Sequence, residues 1–158
     1  IEQVCQEFTS FLAQRDIELK LLLPDNSVIA EVDGFRMKQV IRNLVSNAAT
    51  FSPYGSSICV ELYSTEYSFS IEVRDHGPGI PPAELETVFN KFTQSSLTDS
   101  GAGGTGLGLS ISRAIILAHC GSIKVRNIEN GGACFKLLVP LAGTTTSTSL
   151  VEASHLKR

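Results

Sequence analysis

Residues 101–109, GAGGTGLGL, carry glycines at 101, 103, 104, 106 and 108 and run straight into SISRAIILAH. Glycine lets backbone approach a ligand closely and adopt positive φ. The first turn of a helix then offers unpaired N–H groups and the positive end of its dipole to an anion. That combination suits phosphate. A flexible linker is the other reading of such a run, but a linker would not feed directly into an apolar stripe at Leu107, Ile111, Ala114, Ile115 and Ala118. A second group is Asn43 and Asn47, four apart, with Gln39 one turn earlier, so their amides share one helix face. Asparagine costs a helix interior roughly 0.5 kcal/mol against alanine. Oxygen ligands for Mg²⁺, which takes few protein oxygens and the rest from water and phosphate, would account for two in register; a polar helix edge satisfying nearby backbone is the alternative. The third group is RDHGPGI, residues 74–80, where Asp75 ends a strand and can accept from an exocyclic amine, while Ile80, beyond a tight turn, can cover a flat ring.

These groups need particular elements to hold them. DGFRMKQVIRNLVSNAATFSP, 33–53, reads as a helix burying Met37, Val40, Ile41, Leu44, Val45 and Ala48. Phe69, Ile71 and Val73 alternate with Ser70, Glu72 and Arg74, the period of a strand with one buried and one wet face. Ile1, Val4, Cys5, Phe8, Phe11 and Leu12 mark a first helix, and Ile17, Leu19, Leu21 and Leu23 alternate up to the Pro24-Asp25-Asn26 turn. Further strands are expected near 28–32, 57–63, 68–74, 122–127 and 133–139, with about three helices covering one face of the sheet.

Taken in order, the asparagine helix, the Asp-x-Gly-x-Gly turn, a Phe-x-x-Phe and the Gly-Gly-Thr-Gly-Leu-Gly-Leu run resemble the catalytic, ATP-binding domain of sensor histidine kinases. NLVSNAATFSP resembles the N box of that family, DHGPGI its G1 box, VFNKFTQ (88–94) its F box and GGTGLGL (103–109) its G2 box. The resemblance covers about residues 1–141. It implies a two-layer α/β sandwich, a mixed and mostly antiparallel sheet with about three helices on one face and a mobile ATP lid, the Bergerat-type fold shared with gyrase, Hsp90 and MutL-type ATPases. It implies further that Asn47 ligates Mg²⁺, that Asn43 supports the phosphate and metal site, and that Asp75 accepts from the adenine amino group. Gly77 and Gly79 would make room for the nucleotide and Ile80 would face it. Phe89 and Phe92 would anchor the lid, and the backbone of Gly104, Thr105, Gly106, Leu107, Gly108 and Leu109 would wrap the phosphates. Lys91, inside the F box, is the nearest cation, with a solvated surface lysine as its other reading.

The chain departs from the family pattern at Thr50, where a basic residue is common, at Asp99-Ser100-Gly101-Ala102, where many members carry another, and at Ala133, where a hydroxyl is frequent. Arg42 and Lys38 lie near the N box as replacements. A glutamate stands at the Asn43 position in related ATPases; an amide has no useful pKa for proton abstraction, so ATP would be held for transfer to another group in place of hydrolysis. The acceptor expected from the resemblance is a histidine on a separate dimerisation domain, with a response regulator downstream. His76, His119 and His155 do not match that context, and His119 reads as a helix-terminal histidine favourable to the dipole. A degenerate nucleotide-binding module with little transfer activity stays open as the alternative.

At 158 residues and 42% hydrophobic content the chain suits one domain, with 142–158 a hydroxyl-rich flexible tail or linker. A start at Ile1 reads as a piece of a longer protein, in which a membrane anchor would lie elsewhere and this domain in the cytoplasm. No apolar run reaches the ~18 residues of a membrane span, and a net charge of −3 without a Lys/Arg cluster argues against nucleic acid. Cys5, Cys59, Cys120 and Cys134 form no C-x-x-C pair and read as reduced thiols.

Overall fold

The structure, a computed structural model, describes residues 1–93, 95–97, 105–129 and 131–141. Its frame is a five-stranded sheet in the order β1-β2-β3-β5-β4, formed by β1 (Glu18–Leu22), β2 (Ser57–Ser64), β3 (Ser68–Arg74), β4 (Ser122–Asn127) and β5 (Ala133–Pro140). β1 runs parallel to β2 and every other pair is antiparallel. One face carries the helices: α1 (Glu2–Gln6), α2 (Thr9–Gln14), α3 (Gly34–Phe51) and α4 (Gly108–Ala118). Between them and the sheet lies one core, centred on Val40, Leu44, Val45, Ile58, Val60, Val73, Ile116 and Leu137, all fully buried. This is the expected mixed α/β sandwich.

α3 follows its pattern closely. Asp33 caps it by accepting from Arg36 N–H at 3.0 Å, and Met37, Val40, Ile41, Leu44, Val45, Ala48 and Ala49 are buried. Its far end is held by Arg15, whose guanidinium donates to the carbonyls of Ala49, Thr50 and Ser52 and lies between the Phe11 and Tyr54 rings, 5.7 and 5.1 Å from their centroids. Cationic donors at a helix C-terminus meet both its orphan carbonyls and its dipole.

Four expectations are corrected. The first helix is two: i→i+3 bonds at Glu7 and Phe8 tighten the chain between α1 and α2, and Phe11 ends up 44% exposed against Arg15. The segment 28–32 joins no strand of the sheet; Val28, Ala30 and Val32 still pack on the core while Ile29 is 88% exposed, so the alternation reflects packing without pairing. β3 is buried on both faces: Ser70 and Glu72, on the helix-free side, are each 7% exposed, Glu72 held between Arg74 and Lys136. On α4 the buried residues are Ser112, Ile115 and Ile116, and the stripe through Ile111, Ala114 and Ala118 faces out. Periodicity identified the helix and Ile115 as buried, but set the rest of the stripe about one residue off, because Ser112, polar by type, is turned inward against α3. The tail, 142–158, lies outside the described residues.

Candidate functional site

A cavity of about 440 Å³ opens between α3, the β3–β5 end of the sheet, the 3-10 turn Thr87–Phe89 and the start of α4, a size that suits a small ligand. From α3 come Asn43, Ser46, Asn47, Thr50 and Phe51; from the turn after β3, Asp75, Pro78, Gly79 and Ile80. The Val88–Ser95 stretch adds Val88, Thr93 and Ser95, the loop into α4 adds Thr105, Gly106, Gly108 and Leu109, and β5 adds Ala133 and Phe135. Four sequence motifs far apart in the chain therefore share one wall.

Asp75 is 6% exposed. Its Oδ1 accepts from Gly77 N–H at 2.8 Å and from Ala133 N–H at 3.1 Å, which fixes the carboxyl plane. Burial pushes its pKa up, and the two backbone donors oppose that shift only in part. Gly77 sits behind this carboxylate, outside the cavity wall; a Cβ there would stand 2.9 Å from Phe51 O. Gly79, at φ +75°, turns the chain so that Ile80 closes the wall.

Asn47 reaches the cavity from α3, while Asn43 is held more tightly. Its Nδ2 donates to Ser112 Oγ on α4 at 3.0 Å, and a Cβ added to Gly108 would overlap its Oδ1. Asn43 thus packs the first turn of α4 onto α3. Gly106, at φ +67°, accepts from Phe92 N–H at 3.0 Å through its carbonyl.

Phe92 itself is corrected as an anchor. It sits at φ +62° with its side chain 75% exposed, and the F-box ring that is buried is Phe89, packed edge-on against Phe135 with centroids 6.3 Å apart and Arg113 over its face at 5.9 Å. Left-handed backbone at Phe92 turns its Cβ away from the core. Lys91 is exposed, and neither it, Phe92 nor Leu107 belongs to the wall. Gly104 lies outside the described residues. Arg42 and Lys38 face away from the cavity: Arg42 pairs with Glu7 at 2.6 Å and Lys38 donates to Gln3 at 2.7 Å, both on the α1 side. The one charged side chain in the described wall is Asp75.

His119 does cap α4: its Nδ1 lies 2.8 Å from Ile115 O, and its Nε2 accepts from Asp33 N–H at 3.0 Å, joining the end of α4 to the start of α3. Cys5 and Cys134 are buried, Cys59 half-buried and Cys120 exposed.

Sequence reasoning missed Ser46, Phe51 and Thr93 as wall residues, and missed Asn127, whose amide bonds the Ile80 backbone from the end of β4. The first two were findable, since Ser46 and Phe51 share the α3 face of Asn43, Asn47 and Thr50.

Among the described residues no group of three or more His, Cys, Asp or Glu side chains could hold a metal. The wall near Asn47 instead offers amide and hydroxyl oxygens, from Ser46 and Thr50 as well. Such neutral hard donors fit Mg²⁺ that arrives with phosphate oxygens already attached.

Comparison with known proteins agrees with this geometry. The family described as histidine kinase-, DNA gyrase B-, and HSP90-like ATPase matches residues 32–143. Hybrid signal transduction histidine kinase D of Dictyostelium discoideum is 36% identical over 140 residues, which is 85% of this chain and 9% of that protein. The chain is similar to the catalytic domain of histidine kinase ThkA, with TM-score 0.79 and 30% identity over 89% of this chain and 90% of that one. It is also similar to ThkA solved in complex with response regulator protein TrrA, with TM-score 0.75 and 28% identity over 89% of this chain and 39% of that one. The chain spans only a small part of the curated relatives it matches. Motif order, fold and wall all lead to the same place: the chain belongs to the histidine kinase-, DNA gyrase B- and HSP90-like ATPase family, and within it matches the ATP-binding domain of sensor histidine kinases.

Proposed function

We propose that this domain binds Mg-ATP in the cavity and presents its γ-phosphoryl group to a histidine on a separate dimerisation domain of the parent protein, in the cytoplasm, with a response regulator as the downstream acceptor. The observation that carries the reading is the convergence of Asn47, Asp75, Ile80, Gly106, Gly108 and Leu109 on one cavity. Asp75, with Oδ1 already committed to backbone, is oriented to accept from the adenine amino group. Ile80 lies against the ring, the first turn of α4 faces the phosphates, and Asn47 with the neighbouring hydroxyls holds the magnesium. Mg²⁺, when bound with the nucleotide, neutralises phosphate charge and orients the transferring group. Asn43 supplies no base. Its amide is tied to Ser112 and packed on Gly108 and cannot take a proton from water, so transfer is favoured over hydrolysis.

The test is transfer of labelled phosphate from ATP to a supplied dimerisation hairpin, with Asn47→Ala as control. Transfer by the wild type alone is expected; equal background from both, with nucleotide still bound, overturns the kinase reading. One observation favours a second reading, in which the domain binds nucleotide and signals through its lid without transfer: the described wall holds no lysine or arginine. The same experiment separates the two.

A further inference from the structure

Asn127 closes β4, outside the cavity wall, and yet makes both hydrogen bonds that a neighbouring strand would make to Ile80. Its Oδ1 accepts from Ile80 N–H at 2.8 Å and its Nδ2 donates to Ile80 O at 2.6 Å. Ile80 is 8% exposed and lines the cavity, so no water competes freely for those backbone groups. Close packing reinforces the pair. A Cβ on Gly79 would stand 2.9 Å from Asn127 Oδ1 and 3.4 Å from Gly132 O, and one on Gly132 would overlap Asp75 O. The same β4–β5 hairpin grips the other end of the turn, where Asp75 N–H donates to Ala133 O at 3.0 Å and Ala133 N–H donates to Asp75 Oδ1 at 3.1 Å.

The hairpin therefore holds the turn at two points. Ala133 orients the carboxylate, and Asn127 sets where Ile80 stands relative to it. We propose that Asn127 is a positioning residue for purine recognition, fixing the separation between Ile80 and Asp75 into which the base fits. This rests on the nucleotide reading above. The amide acts as a template: an aliphatic side chain would leave the Ile80 N–H and carbonyl orphaned, and a carboxylate would keep the acceptor but set an oxygen against the Ile80 carbonyl.

Titration calorimetry of ATP and GTP, with and without Mg²⁺, tests it on wild type, Asn127→Ala and Asn127→Asp. The expected result is a fall of about tenfold in ATP affinity and in ATP-over-GTP preference for both variants, with the factor by which Mg²⁺ strengthens ATP binding unchanged. A purely architectural role would lower ATP, GTP and the Mg²⁺ factor together, and that result, or no change at all, overturns the proposal. Wild-type protein that binds neither nucleotide overturns the nucleotide reading itself, before any variant is compared. Should circular dichroism show both variants unfolded, amide exchange of wild-type Ile80 decides: protection that rises on adding ATP supports the role, and an Ile80 N–H exchanging as an open loop overturns it.

Discussion

Asp75 is held in the folded state at a cost. Its carboxylate is buried with no cation in the described wall, and its pKa is raised by that burial. Natural chains keep such groups where a ligand needs them. An acid whose folded pKa lies above its unfolded one subtracts stability once pH rises past the unfolded value. Asp75→Asn keeps an oxygen for Gly77 and Ala133 N–H, removes the buried charge, and turns an N–H₂ toward the cavity. The expected outcome is a melting temperature at pH 7 no lower than wild type, with ATP affinity reduced about tenfold to a hundredfold by loss of a charge-assisted bond, read by thermal unfolding and calorimetry. Asp75 was legible from sequence because strand alternation places it and the turn follows at once. Asn127 was not, since its partner is 47 residues away and an amide closing a strand has many uses. Phe92 was misplaced for a comparable reason: spacing of aromatic residues says nothing about a left-handed φ.

The junction of α3 with α4 is where sequence patterns and packing part. Apolar spacing assigned α4 correctly as a helix, but burial follows Ser112, because Asn43 reaches across from α3 to bond it. The contact predicts a coupling. Gly108→Ala should drive its methyl into Asn43 and lower the denaturant midpoint, and adding Asn43→Ala should recover part of that loss, a non-additivity that a double-mutant cycle measures. At the other end of α4, Gly121 N–H donates to Ile116 O at 2.9 Å and Cys120 N–H to Leu117 O at 3.0 Å, the paired bonds of a helix stop in which the residue at Cys120, φ +55°, is better as glycine. Cys120→Gly should therefore raise unfolding free energy by about 1 kcal/mol, seen in urea titration. Helix boundaries of this kind were readable because caps and stops are local; the helix's inward side was not, since its neighbour decides it.

For the whole molecule, the helix-free face of the sheet carries a charge network; alternation put Glu72 and Arg74 on that face but could not give their partners on neighbouring strands. Glu72 on β3 meets Arg74 at 2.8 Å and Lys136 on β5 at 2.9 Å, and Arg74 also meets Glu61 on β2 at 2.7 Å. Burial pushes the Glu72 carboxyl up, but hydrogen bonds from Lys136 and Arg74, and their charges, outweigh it and hold the pKa at about 2. A depressed carboxylate adds stability that is complete above its unfolded pKa and disappears as pH falls through the folded one, here between about pH 4.5 and 2, and worth at most roughly 3 kcal/mol. Glu72→Gln should lower stability at pH 7 and flatten its decline over that acid range, measured by urea unfolding at a series of pH values. The five strands of the sheet were legible nearly to the residue, whereas the alternation at 28–32 wrongly suggested a sixth. Their order was not, because the parallel β1–β2 pair and the β3–β5 pair join segments separated by whole helices.

The absence of lysine and arginine from the described wall has one more consequence. Between Lys91 and Arg113 the chain contains no basic residue, so this stretch of sequence brings no cation to a polyanion held in the cavity. Small ions in the buffer then have few protein charges to compete with, and screening should matter little. Nucleotide affinity at fixed magnesium is expected to respond only weakly to sodium chloride, while withdrawal of magnesium by chelator should weaken it sharply. A steep dependence on ionic strength would mean that a lysine or arginine from beyond the cavity takes part.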